Sequence, residues 1–163
     1  MQVGASQHEI RTGLYTDAQR KRRDSSPWTM VQAILAPLQF LVFLVSLGLV
    51  LRTLLTGEGA ALANASIILK TALLYTIMVT GSLWEKDVFG KYLFAPAFFW
   101  EDVVSFGVIA LHTAYLVCLL TGWLNETGLL LLALVAYAAY VTNAAQFLLK
   151  LRAARLQTAG AAS

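Results

Sequence analysis

Trp84-Glu85-Lys86-Asp87-Val88-Phe89-Gly90-Lys91-Tyr92-Leu93-Phe94-Ala95-Pro96-Ala97-Phe98-Phe99-Trp100-Glu101-Asp102 is a polar break between two long apolar runs. It carries four of the nine acidic residues of the chain and seven aromatic side chains. Ionisable groups set among flat apolar rings, where two runs long enough to cross a bilayer meet, point to a site for a large planar substrate at the membrane edge.

Composition makes those runs membrane spans. Of the 163 residues, 58% are hydrophobic and 13% charged, and mean hydropathy is +0.67. A soluble domain of this size cannot hide so much apolar surface, because its outside must still be polar. The chain is therefore expected to be an all-α, polytopic membrane protein with four transmembrane helices. The runs 28–55, 61–84, 100–120 and 129–149 each come near the ~20 residues that a spanning helix needs. The connections 56–60 and 121–128 are short and contain glycine, which suits antiparallel neighbours. Three regions follow: a basic arm at 1–26, a four-helix transmembrane domain at 27–151, and a tail at 152–163. The arm is expected to turn helical against the lipid surface, and the Ala-rich end after Arg155 to fray.

Basic residues set the orientation. Five of the twelve lie before Pro27, Lys86 and Lys91 sit in the middle connection, and Lys150, Arg152 and Arg155 follow the last run. The opposite connections offer only Arg52. The positive-inside rule then places both termini and 84–102 in the cytoplasm. The basic arm reads as this topology signal rather than as a nucleic-acid footprint.

Polar residues inside the runs each need a reason. Gln32, Gln39 and Ser46 recur at seven-residue spacing on one helix face, as a helix–helix contact would require. Thr71, Tyr75, Met78 and Ser82 form another face that Glu85 extends. Lys70 lies off that face and is expected to snorkel to water at the far end. In the third run Glu101, Ser105, His112 and Tyr115 share a face, and His112 sits ~16 Å deeper than Glu101. It reads as a hydrogen-bonded packing residue, a ligand to a pigment metal, or a proton-transfer group. Glu101 and Asp102 either complement a helix dipole or, against Phe98, Phe99 and Trp100, act as a general acid. Gln32, Gln39, Ser82, Glu85, Glu101, Asp102, Ser105, Asn143 and Gln146 all fall in the cytoplasmic half, which predicts a cavity there rather than a channel. No phosphate-binding glycine loop, His-x-x-x-His or Cys-x-x-Cys occurs. Cys118 is a lone apolar-run cysteine, read as packing. Two histidines do not furnish the axial ligand pairs of a multi-haem cytochrome.

The block from Thr76-Ile77-Met78-Val79-Thr80-Gly81-Ser82-Leu83-Trp84-Glu85-Lys86 through Gly90-Lys91-Tyr92-Leu93-Phe94-Ala95-Pro96-Ala97-Phe98-Phe99-Trp100-Glu101-Asp102 resembles the vinyl bacteriochlorophyllide hydratases of bacteriochlorophyll biosynthesis. Trp28-Thr29, Leu35-Ala36-Pro37-Leu38-Gln39-Phe40-Leu41 and Leu111-His112-Thr113-Ala114-Tyr115-Leu116 share in the resemblance, which covers residues 14 to 150. Asp87 departs from it, standing where an apolar residue is expected. The resemblance implies a lyase of the bacterial inner membrane, cytoplasmic or intracytoplasmic and photosynthetic. It would hydrate the C3 vinyl group (position 2 in older nomenclature) of a chlorophyllide-type tetrapyrrole to a 1-hydroxyethyl group.

No cofactor is expected, since the magnesium belongs to the substrate. The lipid bilayer and other pigment-biosynthesis enzymes are the expected partners, and nucleic acid is not. Such chemistry needs an acid, a placed water and a flat apolar slot. Glu101 or Asp102 is the candidate acid, with Glu85 or the other carboxylate positioning water. Phe94, Phe98, Phe99 and Trp100 are candidates to stack on the ring, and Lys86 or Lys91 to pair with its propionate. Ser105, His112 and Tyr115 extend the binding face, His112 as a candidate ligand to the substrate magnesium. The competing reading is a non-enzymatic pigment-binding or assembly protein using the same slot.

Overall fold

Gly90 marks where the second apolar run stops. Its φ of 80° is a left-handed conformation that costs a glycine little and ends the helix. Four such runs become helices long and apolar enough to cross a membrane. The structure, a computed structural model, describes residues 13–161. It contains α1 (Asp17–Ser25), α2 (Pro27–Thr56), α3 (Ala60–Phe89), α4 (Phe99–Thr121) and α5 (Glu126–Ala161). Among the described residues no strand occurs. The protein is an all-α polytopic membrane protein, and large apolar side chains such as Ile34, Val79, Val117 and Val135 face outward along its spans.

The spans form two antiparallel hairpins, α2 with α3 and α4 with α5. Packing is dense within each hairpin and sparse between them, where α2 meets α5 and α3 meets α4. At the end holding the short connections the hairpins close on a core that includes Phe43, Val50, Ile67, Tyr115, Leu130 and Tyr137. At the opposite end, which carries α1, the 90–98 connection and the end of α5, the hairpins part. This is termed the loop end below.

The basic arm is helical where it is described. Thr16 and Gln19 cap α1 reciprocally: the Gln19 N–H donates to Thr16 Oγ1 at 3.2 Å and the Thr16 N–H to Gln19 Oε1 at 2.9 Å. The helix docks on the end of α3. Arg22 donates to the Val88 carbonyl at 3.2 Å, and Tyr15 stacks on Phe89 with centroids 5.9 Å apart. Asp87, out of place by the family pattern, accepts the Ser26 hydroxyl at 2.7 Å and so ties the α1–α2 junction to α3. Residues 1–12 of the arm lie outside the described residues.

Two expectations are corrected. The Ala-rich end after Arg155 does not fray, because α5 continues through Ala161. Residues 151–159 include neither glycine nor proline and are rich in Ala, Leu, Arg and Gln, all strong helix formers. At 36 residues the helix is about 54 Å long and outruns a hydrocarbon core of about 30 Å, so its last turns project past the loop end. Lys70 does not snorkel either. It sits ten residues into α3, roughly 15 Å along the helix, is fully buried, and places Nζ 3.4 Å from the centre of the Tyr140 ring.

Candidate active site

Gly90 releases the chain into a connection that doubles back over the end of α3. Phe94 takes a φ of 59°, a region that bulky residues rarely enter. That turn aims two successive backbone amides at two carboxyl groups. The Phe94 N–H donates to Asp102 Oδ2 at 2.7 Å, and the Ala95 N–H to Glu85 Oε2 at 3.2 Å. The carboxyls of Glu85 on α3 and Asp102 on α4 are close neighbours. Both residues are buried.

Glu101 faces the other way. Neighbouring residues on a helix point about 100° apart, so Glu101 turns to α5 and not to Asp102's partner. Its Oε2 pairs with Lys150 Nζ at 2.7 Å, and Lys150 also donates to the Ala97 carbonyl. The Glu101 carbonyl accepts from Ser105 Oγ at 2.7 Å and from Asn143 Nδ2 at 2.9 Å, and the Ser105 hydroxyl also reaches Asn143 Oδ1 at 3.0 Å. These bonds lock α4 to α5 directly behind Asp102. Lys150 was legible in the sequence only as a topology charge. Its place at the inner end of a basic cluster, still within apolar sequence, was the available signal.

Between the parted hairpins lies a cavity of about 2010 Å³, larger than the roughly 300–1,000 Å³ of ordinary ligand pockets. Glu85 and Asp102 are in its wall, and Gln32, Gln39, Ser82, Ser105 and Asn143 line it, as the clustering of polar residues predicts. Glu101 and Gln146 do not line it. Phe40, Leu74, Ile109, Tyr140 and Phe147 supply apolar wall. The cavity runs out to α1 and the last turns of α5, where Tyr15, Arg20, Arg23 and Arg155 border it. Burial pushes the Tyr15 phenol above its ordinary value, against the pull of the Arg23 guanidinium.

The aromatic residues of 84–102 divide into two groups. Phe98 is buried, lines the cavity and packs edge-on to Trp84 and Phe89 and stacked with Phe147. Phe94, Phe99 and Trp100 lie on the outer surface, where Phe94 stacks on Phe106 with centroids 5.5 Å apart. They do not border the cavity. Neither do Lys86, which donates to the Gly90 carbonyl at 3.2 Å, and Lys91, which is exposed. His112 and Tyr115 share the inward face of α4 with Ser105 but belong to the packed core below the cavity. His112 Nδ1 is 2.8 Å from the Val108 carbonyl, its Nε2 is buried without a hydrogen-bond partner among the described residues, and Tyr115 donates to Asn64 Oδ1. Among the described residues no group of three His, Cys, Asp or Glu side chains gathers to hold a metal.

Four spans around a wide apolar cavity, with a buried carboxyl pair in its wall, define a membrane-embedded protein equipped for acid–base chemistry on a large apolar molecule. The comparisons agree with that class and narrow it. The chain belongs to the 2-vinyl bacteriochlorophyllide hydratase family, whose model matches residues 15–153. It is 67% identical over 153 residues to the 2-vinyl bacteriochlorophyllide hydratase of Rhodobacter capsulatus, covering 94% of this chain and 89% of that protein. It is 71% identical over 144 residues to the protein of the same name from Cereibacter sphaeroides, covering 88% of this chain and 89% of the relative. No solved structure matches the chain.

Proposed function

We propose that this protein adds water across the C3 vinyl group of a bacteriochlorophyllide-type tetrapyrrole, giving the 1-hydroxyethyl derivative in bacteriochlorophyll biosynthesis. The observation that carries the mechanism is the Glu85–Asp102 pair, two buried carboxyls from different spans held by consecutive backbone amides beside the cavity. In this mechanism the two carboxyls share one proton, which goes to the terminal vinyl carbon, and the electron pair of the double bond forms the new C–H bond. The positive charge left on the inner carbon is delocalised into the macrocycle. A water molecule attacks that carbon, and the carboxylate accepts the proton the water loses. The pair ends as it began, with one proton, and the substrate has gained one water. The amides of Phe94 and Ala95 hold the anionic form without solvent reorganisation, which lowers the cost of the charge that appears on the pair.

The flat slot is the cavity wall of Phe98, Phe40, Tyr140 and Phe147, and the rings of Phe94, Phe99 and Trp100 serve the outer surface instead. Ser105 and Asn143 offer polar atoms for the attacking water. The positive-inside pattern supports a cytoplasmic loop end in a bacterial inner membrane, so substrate would enter from that side. The test is to supply 3-vinyl pigment to membranes containing the full chain. A product heavier by one water supports the enzyme. Pigment that co-purifies unchanged supports a carrier.

A further inference from the structure

Arginines border the cavity on both sides of its mouth, Arg20 and Arg23 on α1 and Arg155 on α5. Arg23 is engaged: its Nη2 lies 2.7 Å from Asp24 Oδ1 and its guanidinium lies over the Tyr15 ring at 4.9 Å. Arg20 and Arg155 have no side-chain partner among the described residues. Among the described residues no acid of the cavity is free to meet them. Glu85 and Asp102 are held by backbone amides, and Glu101, outside the cavity, is paired with Lys150. Two unpaired guanidiniums at the rim of an apolar cavity are complementary to an anionic group on whatever fills it, and guanidinium geometry matches a carboxylate or a phosphate.

The geometry points to a carboxylate-reading site at the cavity mouth, in which Arg20 and Arg155 pair with the free acid side chain of the pigment. The proposal rests on the hydratase reading and adds a determinant of substrate choice to it. The macrocycle lies in the cavity with its vinyl edge at Glu85 and Asp102 and its acid side chain directed out between α1 and α5. A pigment esterified on that side chain loses the pairing. The site replaces the role that Lys86 and Lys91 were expected to fill, since neither borders the cavity. Lipid headgroup phosphate has matching chemistry, and the experiment separates the two sources.

The full chain is placed in phosphatidylcholine nanodiscs and titrated with 3-vinyl pigment as the free acid and as its methyl ester. Binding is followed by pigment absorption and turnover by product mass. The acid is expected to bind more tightly than the ester. In the Arg20→Gln/Arg155→Gln variant, Kd and KM for the acid rise roughly 10- to 100-fold, the loss expected for charge-assisted hydrogen bonds, while kcat is kept. The Arg20→Lys/Arg155→Lys variant recovers part of the loss. Equal affinity for acid and ester in the wild type overturns the site, as does a variant in which both forms weaken together. Discrimination that disappears when anionic lipid is added assigns the guanidiniums to headgroups and also overturns it. If the acid binds preferentially through the arginines but neither form gains water, the hydratase reading fails and the carboxylate site stands.

Discussion

Asp102→Asn separates the proton-transfer role of the pair from its structural role. The substitution is nearly isosteric. The asparagine side-chain oxygen can accept the Phe94 N–H that Asp102 Oδ2 now accepts at 2.7 Å, and its NH2 then faces Glu85 and donates to it. The connection stays in place, but an amide surrenders no proton at neutral pH. Positioned general acid–base groups contribute about 100- to 10,000-fold, so kcat should fall by that factor, equivalent to about 3–5 kcal/mol of barrier. KM should change little, because the cavity wall is intact. Glu85→Gln should behave alike, since either change removes the shared carboxyl proton. Glu101→Gln is the matched control: that carboxyl lies outside the cavity and pairs with Lys150, so its kcat should stay within a few-fold of wild type. The assay is single-turnover conversion of 3-vinyl pigment by purified protein, read by product mass, with thermal denaturation confirming fold. Wild-type rates in both Asp102→Asn and Glu85→Gln would refute the carboxyl-pair mechanism.

Phe94 holds a φ of 59°, so Phe94→Gly should relieve backbone strain and keep the two-amide clamp, whereas Phe94→Val should cost about 1–3 kcal/mol and depress kcat. Equal kinetics in the two variants would separate the turn from catalysis. Lys150→Met leaves the Glu101 carboxylate without its partner and should destabilise by roughly 2–3 kcal/mol, below the roughly 3–5 kcal/mol of fully buried pairs because Lys150 is 28% exposed. Adding Glu101→Gln should restore part of the loss in thermal midpoint. Lys70→Met replaces a buried amine that makes no hydrogen bond among the described residues with an apolar chain, and should leave the thermal midpoint equal or higher. A large fall would show that the contact with the Tyr140 ring outweighs the cost of burying the amine.

The spans were legible because a bilayer imposes a length and an apolar composition that few other environments impose. The polar cavity was legible because polar atoms at one depth in an apolar bundle must face one another. The carboxyl pairing was not. Adjacency in sequence makes Glu101 and Asp102 look like a unit, yet consecutive helical positions diverge, and Asp102's partner is Glu85, seventeen residues earlier on another span. What brings them together is the turn at Phe94, and no single residue type announces a left-handed phenylalanine. The same limit applies to the aromatic run. Phe98 and Phe99 are chemically alike, and only the start of α4 decides that one enters the cavity and the other faces out. Lys70 misled because snorkelling was judged from the nearest helix end, while the side chain points across the bundle at Tyr140.

Incubating the purified protein with 3-vinyl bacteriochlorophyllide in deuterium oxide, with the product analysed by mass spectrometry and proton NMR, tests the direction of water addition. Proton delivery to the terminal carbon followed by water addition at the inner carbon predicts a 1-hydroxyethyl product whose methyl group carries a single non-exchangeable deuterium. Recovery of unaltered vinyl pigment, or a product without deuterium in its methyl group, would contradict the account.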